Sequence, residues 1–406
     1  MKQIVYLVDS LSPLALKSFS EKFYGEKILR TNYIDKLASK SIILNNIYGY
    51  GETYSTTYSA FTNKNIYKNF ADSFDISKSF LEKSDLGKFF KKRNFTNIYY
   101  RNCSTNNLLT GFYKRYLESL TDNFDYICLK KENKNYSLKK FFKEKSLISK
   151  FQKKENIFII IHDYTLHDNR GSYNGNVKNI LDTIKNKVSN NVKANLNLIN
   201  YNPKKDNLIL FSDHGLSRNP VSKLFNSTEK ISKIIYDKLY KEIFLDEKLK
   251  MLCFIKPANF NKKIILDGYY KPNFIHNIIK SLFFLKEKNF KNFIDKIKKS
   301  GKKEIYTSIR SVNNSIYQNK ILKRILHGHI LKISQNKKII YSHSHPDKFS
   351  IQKNNVVDTI PIKVVDQKFN SFIKSYYSFN NILKKIFYLN IYILHLLKKK
   401  LIQKLG

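Results

Sequence analysis

Thiols and acids are both scarce in this chain of 406 residues. Its three cysteines, none in a C-x-x-C arrangement, argue against a disulfide framework and point to a reducing compartment, or to one where disulfides are unimportant. Only 32 aspartates and glutamates stand against 74 lysines and arginines, for a net charge of +42. A balance that basic suggests an anionic partner, nucleic acid or membrane. The lysines are spread along the whole chain instead of forming one block, and no helix-turn-helix, zinc-finger or RNA-binding signature accompanies them, so nucleic acid is a minor reading. Long apolar runs are missing too: residues 386–397, nearly all apolar, fall short of the roughly 20 residues that a membrane-spanning helix needs. The N-terminus enters an apolar strand pattern almost at once, with a single Lys2 and no small-residue cleavage site, which reads as a cytoplasmic protein.

What is present is a set of apolar runs that end in reactive groups. Asn207-Leu208-Ile209-Leu210-Phe211-Ser212-Asp213-His214-Gly215 reads as a buried parallel strand that stops at an acid, an imidazole and a glycine. A carboxylate beside an imidazole at a strand's end suits a divalent cation that takes oxygen and nitrogen ligands. Ile4-Val5-Tyr6-Leu7-Val8-Asp9-Ser10 is a second such strand, and Ile157-Phe158-Ile159-Ile160-Ile161-His162-Asp163-Tyr164-Thr165-Leu166-His167 is a third, carrying two histidines and a carboxylate. Between the first two in chain order, Gly49-Tyr50-Gly51 leads into the hydroxyl cluster Thr53, Ser55, Thr56, Thr57 and Ser59, which opens a helix-like run. Backbone N–H groups at the start of such a helix face an incoming anion. Elsewhere helix and strand patterns alternate, as a doubly wound sheet requires.

In this order and spacing the segments resemble the alkaline phosphatase superfamily, closest to its sulfatase and its phosphoethanolamine or lipoteichoic acid transferase branches. The resemblance covers about residues 1–350. It implies an α/β fold with a doubly wound, mostly parallel sheet sandwiched by helices, and a small antiparallel C-terminal subdomain at about 300–350. It also implies a metal-dependent enzyme in which Asp9, Asp213, His214 and Thr53 bind a divalent ion (manganese, magnesium, zinc or calcium) and Thr53 is the nucleophile. Laying Thr62-Asn63 on the family's Thr-Gly selects Thr53, whereas matching Ser59 to the motif serine selects Thr56, the alternative nucleophile. His167 takes the place of the family's substrate-facing histidine, where it protonates or binds the leaving oxygen. Asp163, His327 and His329 are candidates for a second metal or for substrate.

Two departures bear on the chemistry. Sulfatases pair acids after the first strand and mature a cysteine or serine to formylglycine, but here Ser10 follows Asp9 and Cys103, Cys128 and Cys253 all lie away from the hydroxyl cluster. A phosphate-ester hydrolase or transferase is therefore the leading expectation, with a sulfuric-ester hydrolase and an inactive, basic membrane- or nucleic-acid-binding protein as its rivals. The substrate is expected to be an anionic phosphate or sulfate ester. Residues 366–406 change character: apolar residues recur at helical spacing from Phe369 to Phe387, and Lys398, Lys399 and Lys400 follow, the pattern of a basic amphipathic helix. Such a helix either lies on an anionic inner leaflet, making the protein peripheral there, or packs on the domain or a partner chain. Nothing in the sequence indicates an oligomeric state.

Overall fold

The computed structural model describes residues 1–13, 16–17, 22–23, 26–27, 31, 33–50, 53–64, 82–102, 112–128, 137–152, 155–168, 182–215, 249–309, 329–334, 337–342, 345–352, 357–360, 367–376 and 383. They fall in two compact units: the first comprises 1–64, 82–229 and 245–303, the second 65–81, 230–244 and 304–406.

The first unit is organised on a nine-stranded sheet whose strands come from the whole length of the unit. In chain order the strands of this unit are β1 (Lys2–Val8), the two-residue pair β2 (Lys22–Phe23) and β3 (Glu26–Lys27), β4 (Ile42–Tyr48), β5 (Thr96–Asn102), β6 (Tyr126–Cys128), β7 (Ile157–Asp163), β8 (Asn207–Phe211), β9 (Lys250–Met251), β10 (Cys253–Lys256) and β11 (Ile264–Tyr270). The large sheet runs β11-β4-β10-β8-β1-β7-β5-β6, with β9 paired to β4. All pairs from β8 through β6 are parallel; β10 runs antiparallel to both of its neighbours, β4 and β8. β1, β7 and β8 are buried along their whole length, as continuous apolar runs predict for strands covered on both faces.

Alternation along the strands feeds two cores. Ile4, Tyr6 and Val8 join Ile159, Ile161, Leu208 and Leu210 under Leu37, Phe141, Phe142, Val192 and Leu196 of one helical layer. On the other face Phe61 of the Thr53–Thr62 helix meets Phe211 (5.9 Å between ring centroids), and Phe90 of the Leu86–Lys91 helix stacks on Phe158 at 4.1 Å. The Phe274–Phe283 helix covers the same face, where the Gln3 side chain donates to the carbonyl of Ile279. Helices on both faces of a mostly parallel sheet make this the expected α/β architecture.

Some local expectations change. Residues 13–46 read as helical, but their described part holds only the Ile34–Ala38 helix and the β2–β3 pair, and the short strand expected at 41–44 extends to Tyr48 as β4. The helix expected over 177–201 is described from 182 and winds as a π-helix over Ile184–Val188 before its Ser189–Leu198 segment. Phe141, Phe142 and Phe151, read as residues of surface helices, are core: Phe142 and Phe151 stack at 4.5 Å and Phe141 packs on Tyr100 of β5 at 5.9 Å.

The second unit holds a five-stranded antiparallel sheet in chain order: β12 (Glu304–Ile309), β13 (His329–Ser334), β14 (Lys337–Ser342), β15 (His345–Gln352) and β16 (Val357–Ile360). The short alternating segments at 305–312, 328–334 and 338–342 correspond to its first three strands. Gln367–Tyr376 is helical, as its spacing predicts. Apart from residue 383, the rest of the expected amphipathic helix, 386–397 included, lies outside the described residues. Among the described residues no helix is long and apolar enough to cross a membrane.

Candidate active site

Three adjacent parallel strands, β8, β1 and β7, carry polar groups at or just beyond their C-terminal ends, the edge where open α/β sheets bind ligands. Asp9 follows β1, Asp213 and His214 follow β8, and His162 sits near the end of β7. Directly after Asp9, Ser10 turns the chain in the left-handed region at φ 64°. That turn puts its backbone N–H 2.9 Å from Asp213 Oδ1 and its hydroxyl 2.6 Å from Asp9 Oδ1. Ser10, which marks a departure from the family's acid pair, thus ties the two carboxylates together.

The opposite wall is the start of the Thr53–Thr62 helix. Thr53 Oγ1 donates to Asp9 Oδ2 at 3.1 Å and lies 3.2 Å from His214 Nε2. Thr56, the alternative nucleophile, is engaged within its own loop, where its Oγ1 accepts the Tyr50 backbone N–H at 3.1 Å. Gly49 brings this loop against β8's end, since a Cβ there would stand 2.6 Å from the Asp213 carbonyl and 2.9 Å from Thr56 Oγ1.

The donor set is that of a cation site. One ligand atom each from Asp9, Asp213 and His214 lie within 4.8 Å of one another, and all three residues are buried. His214 Nδ1 is 2.6 Å from the carbonyl of Gly215, which only accepts, so Nδ1 carries a proton and Nε2 is the ring nitrogen left for a metal. Nε2 lies 3.3 Å from Asp213 Oδ2, a buried oxygen with no hydrogen-bond donor among the described residues. Burial, followed by the nearby Asp9 charge, raises the Asp213 pKa above the usual carboxylate value. Two buried carboxylates and an imidazole nitrogen gathered at one point are the composition a divalent ion satisfies.

β7 divides its polar residues between the faces, because successive side chains alternate. His162, 1% exposed, turns to the Thr53 side: Nε2 is 3.6 Å from Asp9 Oδ2 and Nδ1 is 3.5 Å from the Tyr99 hydroxyl. Asp163 turns to the other side and its carboxylate is taken up by structure. It accepts from the Tyr6 hydroxyl at 2.9 Å, Asn102 Nδ2 at 3.2 Å, and the Thr165 N–H and hydroxyl at 2.9 and 2.5 Å. Asp163, expected at a second metal or at substrate, is therefore not brought to the cluster. His167 falls in the short Thr165–Asp168 helix, and its side chain is not among the described ones; His329 opens β13 of the second unit, and His327 lies outside the described residues.

One further residue of this face carries no signal in the sequence. Arg101 of β5 is in register with His162 and only 2% exposed. Its Nη2 donates to the Tyr164 hydroxyl, and the guanidinium lies over that ring at 4.5 Å from the centroid.

No protein-family model and no curated protein matches the sequence. Solved structures do match the fold. A protein in the alkaline phosphatase superfamily from Vibrio parahaemolyticus superposes with a TM-score of 0.57 at 10% identity, over 95% of this chain and 86% of that one. The lipoteichoic acid synthase LtaP from Listeria monocytogenes gives 0.55 at 9% identity, covering 96% and 92%. A protein in complex with its substrate D-glucosamine-2-N,6-O-disulfate gives 0.56 at 10% identity, covering 93% and 98%. The chain has the alkaline phosphatase superfamily fold.

Proposed function

We propose that this chain is a metal-dependent enzyme that cleaves or transfers phosphate esters, with Thr53 as its nucleophile. The observation that carries the reading is the position of one hydroxyl: Thr53 Oγ1 lies at the start of a helix and within 3.2 Å of both Asp9 and His214, members of the cation-type cluster. Asp9, Asp213 and His214 would hold the divalent ion together with Thr53. Bound there, it supplies Lewis acidity that lowers the pKa of the hydroxyl and offsets charge on the reacting ester.

The rest of the reaction is assigned to the chain's own groups. Asp9 Oδ2 takes the Thr53 hydrogen and leaves an oxygen lone pair directed at the substrate. Backbone N–H groups in the first turn of the Thr53–Thr62 helix have no partners within the helix and face the anion's oxygens. As Thr53 Oγ1 forms its bond to phosphorus, the bond to the ester oxygen breaks and that oxygen leaves with the electron pair. His162, a second described imidazole beside His214, is assigned the hydrogen bond to that oxygen; His167 keeps the role the resemblance gives it. Water or an acceptor hydroxyl then cleaves the phosphothreonine.

Sulfate esters are the second reading, favoured by the match to a protein solved with a disulfated substrate. Against it, Cys128 and Cys253 are buried in strands, and a threonine stands where a formylglycine precursor is needed. Turnover of aryl phosphate, phosphodiester and aryl sulfate by purified protein, with its bound metal measured by elemental analysis, separates the two. The proposal requires metal-dependent release from a phosphate ester; release from sulfate alone establishes the second reading, and release from none removes both.

A further inference from the structure

Among the described residues Arg101 is a buried cation without a counterion. No carboxylate among the described residues pairs with it, and Nε and both hydrogens of Nη1 have no acceptor there. A guanidinium does not shed its proton to relieve such burial, so the charge persists and its unused donors call for an anion or oxygen-rich group that the described residues do not supply. It is also held in place for one. The Tyr164 hydroxyl takes Nη2 and the Tyr164 ring lies under the guanidinium plane, while Tyr164 itself is fixed by its backbone N–H on Asn102 Oδ1 (2.6 Å) and by the His162 ring at 4.4 Å. A fork oriented before binding loses little freedom when a ligand arrives.

Sheet order sets the backbone of Arg101 apart from that of Asp9. Asp9 follows β1, whereas Arg101 is on β5, two strands away through β7. At about 4.8 Å per strand the two backbones stand roughly 10 Å apart, more than the width of one phosphate or sulfate group. We infer that Arg101 binds a second anionic group of the substrate, a phosphate, sulfate or carboxylate attached to the ester and distinct from the group that reacts. The inference rests on the proposed function for the position of the reacting group, and it narrows the substrate class to esters that carry an additional negative charge.

Binding measured by calorimetry tests it, with methyl phosphate and propane-1,3-diol bisphosphate as probes and the corresponding sulfates run beside them. Wild-type protein with its metal should prefer the doubly charged probe by roughly ten-fold or more, the size expected of charge-assisted hydrogen bonds. Arg101→Gln should lose that preference, and Arg101→Lys, which keeps the charge without the fork, should fall between. The ratio of the two affinities is the readout, and thermal melting checks that each variant is folded; if Arg101→Gln does not fold, Arg101→Lys decides. A wild-type ratio near unity, or a ratio unchanged in the folded variants, overturns the inference. Asp213→Asn separates the two failures. If it weakens both probes while the Arg101 variants leave the ratio unchanged, the proposed function stands and the second anion site falls. If wild type binds none of the probes, both fall together.

Discussion

Asp213 shows in one side chain how the site is built for something other than its own stability. Its Oδ1 takes N–H groups from Ser10 and His214, while Oδ2 lies 3.3 Å from His214 Nε2, and burial beside Asp9 raises its pKa. A raised folded pKa means the folded protein binds that proton more tightly than the unfolded chain. The group's contribution to stability is therefore greatest below the unfolded carboxylate pKa and is lost as pH rises through the folded value. Asp213→Asn removes the repulsion with Asp9, keeps both Oδ1 bonds, and offers an amide hydrogen to His214 Nε2. Metal-free Asp213→Asn should melt higher than metal-free wild type at neutral pH, by the equivalent of about 1–2 kcal/mol, with the difference shrinking toward acid. Its bound metal, measured by elemental analysis, should drop sharply. A variant that melts lower and keeps its metal contradicts this account of the cluster.

Elements set where these side chains meet, and here the sequence was only partly readable. The apolar runs of β1, β7 and β8 are continuous enough to be recognised as buried parallel strands, and the acids and imidazole that follow them were legible as a site. Strand alternation also carried the information that His162 and Asp163 take opposite faces, but the family pattern drew attention to His167 instead. Arg101 was hidden for a different reason: its neighbours are tyrosines on β7's end and on other segments, a setting that no spacing in the chain displays. Gly49 is legible as a turn residue, yet its tight contact with the Asp213 carbonyl comes from the meeting of two distant segments. Gly49→Ala has to push the loop off the β8 end, because the contact is with backbone at 2.6 Å. We expect a loss of about 1–3 kcal/mol in denaturant unfolding and a fall in turnover beyond what the stability change explains. Unchanged turnover would mean that the loop and the β8 end need not be held in register.

The whole first unit is what turns chemistry-bearing segments into a site. Asp9 comes from the beginning of the chain, Thr53 from the helix after β4, His162 from the middle and Asp213 from beyond residue 200, and the parallel order β8-β1-β7 sets their strand ends side by side. What sequence pattern did not show is that β10 inserts antiparallel between β4 and β8, since an apolar run carries no sign of its direction. Fold alone does not select a nucleophile. Thr53 and Thr56 stand three residues apart on one helix, and only their surroundings distinguish them: Thr53 faces Asp9 and His214, while Thr56 holds the Tyr50 N–H.

The most direct test is therefore to stop wild-type protein in mid-turnover of an aryl phosphate with acid, digest it, and locate the covalent phosphate by mass spectrometry. The account predicts that the phosphate is on Thr53, that Thr53→Ala carries none and is inactive while folded, and that Thr56→Ala still forms it with stability reduced by about 0.5–2 kcal/mol. Phosphate found on Thr56, or metal-dependent turnover that persists in the Thr53→Ala, Thr56→Ala double variant, would contradict it.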